Sequence, residues 1–522
     1  MSLAKNILGN VPFAVELYDS LRKSRPNTRY NLEQLAKHLP LAVKQARPFI
    51  EKAKPGKKLL LFATLHYWIE QAAITGLALR GLGHDVTIAY LPYHDWRKDI
   101  NKFDLRRQDL YTRRVLAPLN EFVHYASLLD LKPAPGLPAT LSDDISLVSV
   151  YDSQYTDQIE DVDKNSAIYK LRLQRNDFAA RAALTLMQDL KPDAVLIPNG
   201  TITELGAVYR VARHLDLRTV TYEFNDQREQ VWIAQDDEVM RQNTDLLWSA
   251  RGGKKLTQPE RALIEELESA RMGGKVFGKS VRKWQDVETK GGEQLRKELG
   301  LDKKRPVVLL ATNVLGDSLT LGRNIFARSM ADWIEKTVQF FANQPKVQLV
   351  IRIHPGERLT HGPSMADVVK SALAPQVPEN IHLIGPLEKV NTYDLMEIAS
   401  LGLVYTTTTG LEMAMNGIPV IACGETHYRK HSFTLDPVSW DEYYALIEKA
   451  LKSKKSLTKA QIETTWEYAY RFFFEYPLPF PWRLMHFWKD MEVSPMGRVL
   501  SDTGQKEWGR TFDYLAGEEI DW

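Results

Sequence analysis

The run Leu401 to Asp436, LGLVYTTTTGLEMAMNGIPVIACGETHYRKHSFTLD, constrains this chain more than any other. Leu401 to Tyr405 is an apolar run of strand length, and Thr406 to Thr409 with Gly410 form a turn. Leu411 to Asn416 is a compact helical stretch closed by Gly417, and Pro419 to Cys423 is a second buried strand. Such a β-turn-α-β unit belongs to a parallel sheet covered by helices. A helix entered through a Thr/Gly-rich turn presents backbone N–H groups and its positive dipole end at the carboxyl edge of the sheet, which suits a phosphate. Glu412, on the first helical turn, is placed to accept hydrogen bonds from vicinal hydroxyls such as those of a ribose. An ordinary helix, with the threonines supplying only an N-cap, explains the same residues.

The pattern recurs. Lys58 to Thr64 (KLLLFAT) reads as a buried strand, then a loop (LHYWIEQ), a helix rich in Ala, Leu and Gly, a stop at Gly83 and a strand at Asp85 to Tyr90. That is a βαβ unit opening a doubly wound domain, preceded by amphipathic helices over residues 11–24 and 31–53 with Leu17, Leu21, Leu32, Leu35, Leu39 and Val43 at helical spacing. Residues 98–189 read as helices inserted on the sheet. The sheet resumes at Asp193 to Pro198, and Asn199 to Glu204 forms another strand-to-helix loop. There Thr201 or Thr203 serves as N-cap with Glu204 in the first turn, as a cleft-lining segment or as a plain capping box. Glu223, Asn225, Asp226 and Glu229 follow the next strand as further acid or base groups. Asp236, Asp237 and Glu238 read as a solvated acidic loop rather than a metal site, because no His or Cys stands at metal spacing.

Gly and charge are dense over Arg251 to Lys304, which places a domain boundary near residue 285. A second series of strands starts at Arg305 to Ala311, with Asn313, Asp317 and Ser318 in the following loop. Gln348 to Arg352 is the next strand and ends in Arg352-Ile353-His354-Pro355, where a cation would neutralise a phosphate. The loop Gly424 to His431 is a donor-closing loop or a solvated charge cluster. Aromatic residues crowd Gln461 to Trp488, as burial at the seam between domains or, less simply, as interfacial membrane contact.

At 522 residues the chain exceeds the roughly 250–300 at which a single core stops growing, so two domains are expected. Sixty-eight basic against 66 acidic residues leave a net charge of +2, which argues against a general nucleic-acid binder. The single cysteine, Cys423, reads as a buried small hydrophobe in a reducing compartment. No signal-peptide core and no run of about 18 apolar residues is present, so the expected location is the cytoplasm, free or peripheral to the cytoplasmic membrane.

Three segments carry a family resemblance. Thr408 to Glu412 (TTGLE) with the Gly-Ile-Pro-Val strand after it, Ala311 to Ser318 (ATNVLGDS) and Arg352 to Glu357 (RIHPGE) resemble capsular polysaccharide biosynthesis proteins, GT-B-type glycosyltransferases that include the bacterial Kdo transferases. The resemblance covers Pro306 to Asp436 and, in the first half, only the general layout. It implies an α/β, GT-B-like fold of two Rossmann-like doubly wound domains facing across a cleft. The expected domains are 1–285, acceptor-side, with a helical prefix and insertion; 286–460, which binds the nucleotide-sugar; and 461–522, crossing back to the first.

The implied activity is transfer of a sugar from a nucleotide-activated donor, CMP- or UDP-linked, to a bacterial surface polysaccharide or glycolipid. No metal and no further cofactor is expected. His354 would contact donor phosphate with Arg352 beside it; Asn313, Asp317, Ser318, Thr407, Thr408, Thr409, Gly410 and Glu412 complete the donor set. Asn199, Thr201 and Glu204 are acceptor-side candidates. His66, or Glu70 on the same segment, is the candidate base that takes the acceptor proton. A nucleotide-sugar 2-epimerase, a CDP-glycerol-type phosphotransferase and a non-catalytic polysaccharide-assembly protein remain alternatives on the same scaffold.

Overall fold

The continuous apolar runs form buried parallel strands, as expected where helices cover both faces of a sheet. The structure, a computed structural model, describes residues 2–22, 29–225, 227, 229–278, 287–453 and 455–522. In chain order its strands are β1 (Lys58–Thr64), β2 (Asp85–Leu91), β3 (His124–Ser127), β4 (Ala194–Pro198), β5 (Arg218–Phe224), β6 (Gln230–Gln235), β7 (Val307–Ala311), β8 (Gln348–Arg352), β9 (Ile381–Ile384), β10 (Leu401–Val404), β11 (Val420–Ala422) and β12 (Leu478–Pro479).

They divide between two α/β units. The first comprises Met1–Asp152, Asp163–Met240 and Pro477–Asp521; the second comprises Ser153–Val162, Arg241–Tyr476 and Trp522. The first sheet has the order β12-β6-β5-β4-β1-β2-β3. Its β3-β2-β1-β4-β5 portion is parallel; β6 pairs antiparallel with β5, and β12 antiparallel with β6. The second sheet, β11-β10-β7-β8-β9, is parallel throughout. Both therefore share one doubly wound arrangement, in which the chain leaves a central strand to one side and later returns to its other side.

Several expectations are corrected. The interval 98–189 is not purely helical: His124–Ser127 pairs with β2 in parallel and ends the sheet. The units change over at Met240 and Arg241 rather than near residue 285, which lies outside the described residues. The reason is contact: Arg271 on the helix Gln258–Met272 pairs with Glu412, and Gly292 at the start of the helix Gly292–Glu298 donates its N–H to Glu397. Residues 461–476 stay with the second unit, and only 477–521 return to the first, where Phe480 and Trp482 pack on Phe512.

The acidic triplet is not a solvated loop. Asp236 pairs with Arg213 and Arg218, and buried Glu238 pairs with Arg210. Nor is the loop after β11 a solvated cluster: His427, Arg429 and His431 are buried, with His427 stacked 3.8 Å from the Phe472 ring. The aromatic run of 466–482 is turned inward too, since Trp466, Tyr468, Phe472, Tyr476, Phe480 and Trp482 are buried. At the other end of the chain the apolar stripe of the helix Ala14–Arg22 points outward, with Leu17 and Leu21 exposed.

Among the described residues no helix is long and apolar enough to cross a membrane.

Candidate functional site

In a doubly wound sheet, ligands collect outside the carboxyl ends of the two neighbouring strands whose connections run in opposite directions. In the second unit those strands are β7 and β10. Asn313, just past β7, accepts the Thr406 N–H with Oδ1 at 3.2 Å, so the two loops are tied directly across this point. Thr312 Oγ1 accepts the N–H of His354, at the end of β8, at 3.0 Å. Gly410 is required by close packing: a Cβ there would lie 2.5 Å from the Tyr428 hydroxyl and 2.8 Å from Val404. The Tyr428 hydroxyl in turn donates to the Thr407 carbonyl at 2.6 Å, which fixes the Thr-rich turn.

The result is a pocket lined by Arg352, His354, Thr407, Thr408, Thr409 and Glu412, six of the donor-site residues read from the sequence. Asn313 and Gly410 brace the turn behind it, whereas Asp317 and Ser318 do not line it. Asp317 is spent locally, accepting the Leu319 N–H at 3.0 Å, and burial pushes its pKa up.

Each lining group has a defined state. His354 Nδ1 accepts the Gly356 N–H at 2.9 Å, which leaves the ring proton on Nε2 and makes that nitrogen a donor. Arg352 is buried and gives Nη1 to the Gly385 carbonyl at 2.7 Å and Nη2 to the Val390 carbonyl at 3.3 Å. Burial lowers its pKa to about 10, so it is still cationic at neutral pH, but with backbone carbonyls rather than a carboxylate as partners. Thr407 Oγ1 donates to Thr409 Oγ1 at 3.2 Å, so the turn presents hydroxyls already ordered among themselves.

The lining also includes residues outside the expected set, among them Arg271, Asn391, Thr392 and Tyr393. Arg271 Nη1 meets Glu412 Oε1 at 2.6 Å, with the guanidinium 4.4 Å from the Phe473 ring centroid. Asn391 Nδ2 donates to the carbonyls of Met272 and Val287, at 2.8 and 2.9 Å, and so pins the end of the helix that carries Arg271. The segment expected to hold a domain boundary thus supplies one wall of the pocket. A composition rich in Gly and charge hides this, because the partners of Arg271 lie more than a hundred residues away.

In the first unit the corresponding point lies between β1 and β4. His66 follows β1 directly, since Leu65 turns with φ 65° and the helix His66–Gly81 starts at once; no seven-residue loop intervenes. The His66 ring packs edge-on to Tyr67, and burial lowers its pKa, which keeps the imidazole neutral at pH 7. Glu70 lies deeper on the same helix. It accepts the Leu35 N–H at the start of the helix Glu33–Ile50, and burial raises its pKa to about 8, so it acts as a helix cap rather than an exposed base.

Past β4, Asn199 adopts φ 61°, accepts the Thr201 N–H at 3.1 Å and donates to Glu223 at 3.3 Å. Glu223, at the end of β5, is pushed up to about 7 by burial. Asp226 lies outside the described residues.

The expected capping box at Thr201 and Glu204 is not formed. Thr201 Oγ1 donates to Glu238 at 3.1 Å, and Glu204 is committed to Arg172, which is fully buried and also holds Asp152. Asp152 accepts the Thr203 N–H and takes over the capping role. Among the described residues no group of three or more His, Cys, Asp or Glu could hold a metal ion.

No protein-family model matches this chain, and no curated protein matches its sequence. Solved structures do resemble it in layout. A β-Kdo 2,4-transferase, KpsC, of Thermosulfurimonas dismutans aligns at 17% identity over 55% of this chain and 82% of its own, with TM-score 0.37. The β-Kdo 2,7-transferase of the same organism's KpsC aligns at 12% identity over 62% and 92%, with TM-score 0.34. UDP-GlcNAc 2-epimerase of Neisseria meningitidis, solved with UDP-GlcNAc, aligns at 13% identity over 80% and 100%, with TM-score 0.27.

Proposed function

We propose that this chain is a GT-B-type glycosyltransferase that moves a sugar from a CMP- or UDP-activated donor to a surface polysaccharide or glycolipid acceptor. The observation that carries the reading is the pocket at the β7/β10 switch point. It gathers His354 with a donating Nε2, a buried arginine bonded to two backbone carbonyls, the Thr407–Thr409 turn and an ion-paired Glu412. Such a set matches a nucleotide: cationic and N–H donors for phosphate, hydroxyls for its remaining oxygens, and a carboxylate held in orientation by Arg271 for the ribose diol.

In the reaction the acceptor oxygen attacks the anomeric carbon, the bond from that carbon to the nucleotide phosphate oxygen breaks, and the acceptor proton passes to a base. His354 and Arg352 stabilise charge on the departing nucleotide. His66, neutral at pH 7 and placed at the switch point of the first sheet, is the base assigned to this step.

Thermal unfolding against CMP, CDP, UDP, GDP and ADP tests the donor site. A ligand at a hundred times its Kd adds about 2.7 kcal/mol, and 1 kcal/mol moves the midpoint by roughly 2–4 °C, so binding is visible. One nucleotide should raise the midpoint of the native chain, and His354→Ala and Glu412→Ala should shrink the rise. Absence of any rise would count against the donor pocket. Incubation with the matching nucleotide-sugar alone separates the epimerase class, which needs no acceptor to turn over.

A further inference from the structure

The second sheet carries another cavity at its opposite edge. Pro306, Ser400 and Pro419 line it, and they directly precede β7, β10 and β11. The cavity therefore lies at the amino ends of these strands, away from the carboxyl edge that holds the β7/β10 pocket. Its volume is about 630 Å³, and Tyr393 is the one lining residue that the two cavities share.

Five cationic side chains, Arg296, Lys303, Lys304, Arg305 and Lys455, line it against one carboxylate, Glu397, in a chain whose net charge is only +2. The helices Thr392–Ile398 and Thr409–Met415 end at this edge, where a cation can serve a helix dipole alone. Arg296 does so, giving Nη2 to the Ile398 carbonyl at 3.4 Å. Lys304 and Lys455 do not: among the described residues their ammonium groups have no hydrogen bond and no ion pair. Lys303 and Arg305 meet the exposed carboxylates of Glu293 and Asp302, pairs that water screens. Glu397 accepts the Gly292 N–H at 2.6 Å.

The segments that carry these cations are fixed. Gln348, buried in β8, accepts the Asp302 N–H with Oε1 at 2.6 Å and donates Nε2 to the Asp302 and Arg305 carbonyls at 3.0 and 3.3 Å, which sets the turn 302–305. Leu457, two residues past Lys455, donates its N–H to the Gly417 carbonyl at 2.9 Å. Met396, Ile418 and Leu451 add an apolar surface to the lining.

We propose that this cavity binds a small organic phosphate, a molecule with two or more negative charges at one end and a flat or apolar body. The charge follows from ammonium and guanidinium groups brought to one space by separate segments, two of them with no protein partner. The body follows from the apolar lining and from a volume within the roughly 300–1,000 Å³ of small-molecule sites, far more than a bare phosphate fills. None of these cations has a part in the reaction assigned above.

Pyridoxal 5′-phosphate, a flat aldehyde bearing a phosphate, is the probe. Its aldehyde condenses with a lysine Nζ to an imine with loss of water, and borohydride adds hydride to the imine carbon, leaving a secondary amine that peptide mass spectrometry maps. In the full chain, label should favour Lys304 or Lys455 at least about tenfold over the exposed Lys52, Lys370 and Lys389. Pyridoxal, which lacks the phosphate, should show no such preference, and pyrophosphate should protect. Arg305→Gln, which alters one exposed side chain, should lower the label at Lys304 and Lys455 with an unchanged unfolding midpoint. His354→Ala should label as the native chain does, so the outcome is separate from that of the β7/β10 pocket. The proposal is overturned if label spreads evenly over the exposed lysines, or if pyridoxal labels Lys304 and Lys455 as well as its phosphate does. Protection by heparin but not by pyrophosphate would also overturn it and assign this edge to an extended polyanion.

Discussion

His427 and Glu70 are buried in uncharged form and impose opposite pH dependences. His427 stacks on Phe472 and bonds Tyr468 through Nδ1 at 2.9 Å, and burial, with His431 and Arg323, drives its pKa to about 3. A depressed histidine contributes stability that is complete above its unfolded value of 6.5 and lost as pH falls from there toward 3. The loss should run at about 1.4 kcal/mol per pH unit. His427→Phe, which keeps the stacking, should flatten that slope in urea unfolding between pH 6.5 and 4.

Glu70 works the other way. Its pKa rises from 4.5 to about 8, so its contribution is complete below 4.5 and is lost as pH climbs toward 8. Glu70→Gln, a neutral cap of the same shape, should therefore gain on the native chain by about 1.4 kcal/mol per pH unit across that window. A variant-minus-native difference independent of pH would show that Glu70 is ionised in the fold.

The helix Gln258–Met272 joins stability to the β7/β10 pocket through one ion pair. Arg271 and Glu412 have side-chain exposures of 12% and 7%, so removing only the arginine strands a carboxylate among buried groups. Arg271→Met should cost about 3 kcal/mol in urea unfolding. Arg271→Met/Glu412→Met should recover most of that stability while nucleotide binding, read by thermal shift, stays lost. Recovery of both would make the pair structural only.

Local grammar made the strands and the Thr-rich turn legible: an apolar run, a Gly/Thr break and a helix can be read within about 20 residues. What escaped was long-range. Arg271 and Glu412 are separated by 141 positions and carry no local mark of each other. Thr201 and Glu204 have capping-box spacing, yet Arg172 claims the glutamate from another helix. Leu17 and Leu21 show the limit of periodicity: it finds the two faces of a helix but not which one meets the protein.

On the scale of the molecule, the chain visits the second unit briefly before it builds that unit's sheet. Residues 153–162 belong to it, and Glu160 within them accepts the N–H groups of Met330 and Ala331 at 2.8 and 2.7 Å, capping the helix Met330–Ala342. Glu160→Ala should cost about 1–2 kcal/mol. In hydrogen exchange the loss should appear in peptides of 307–342 while β1 and β4 keep their protection. A uniform loss across both sheets would mean that the two units unfold as one.

The same threading inverts the order of synthesis. The first sheet is completed by β12 and the helix Asp502–Leu515, which are made only after all of the second unit up to Tyr476. At roughly 5–20 residues per second, the edge strand β6 waits on the order of tens of seconds for its neighbour. During that interval the nascent chain presents an open sheet edge, a period when chaperone cover is most needed.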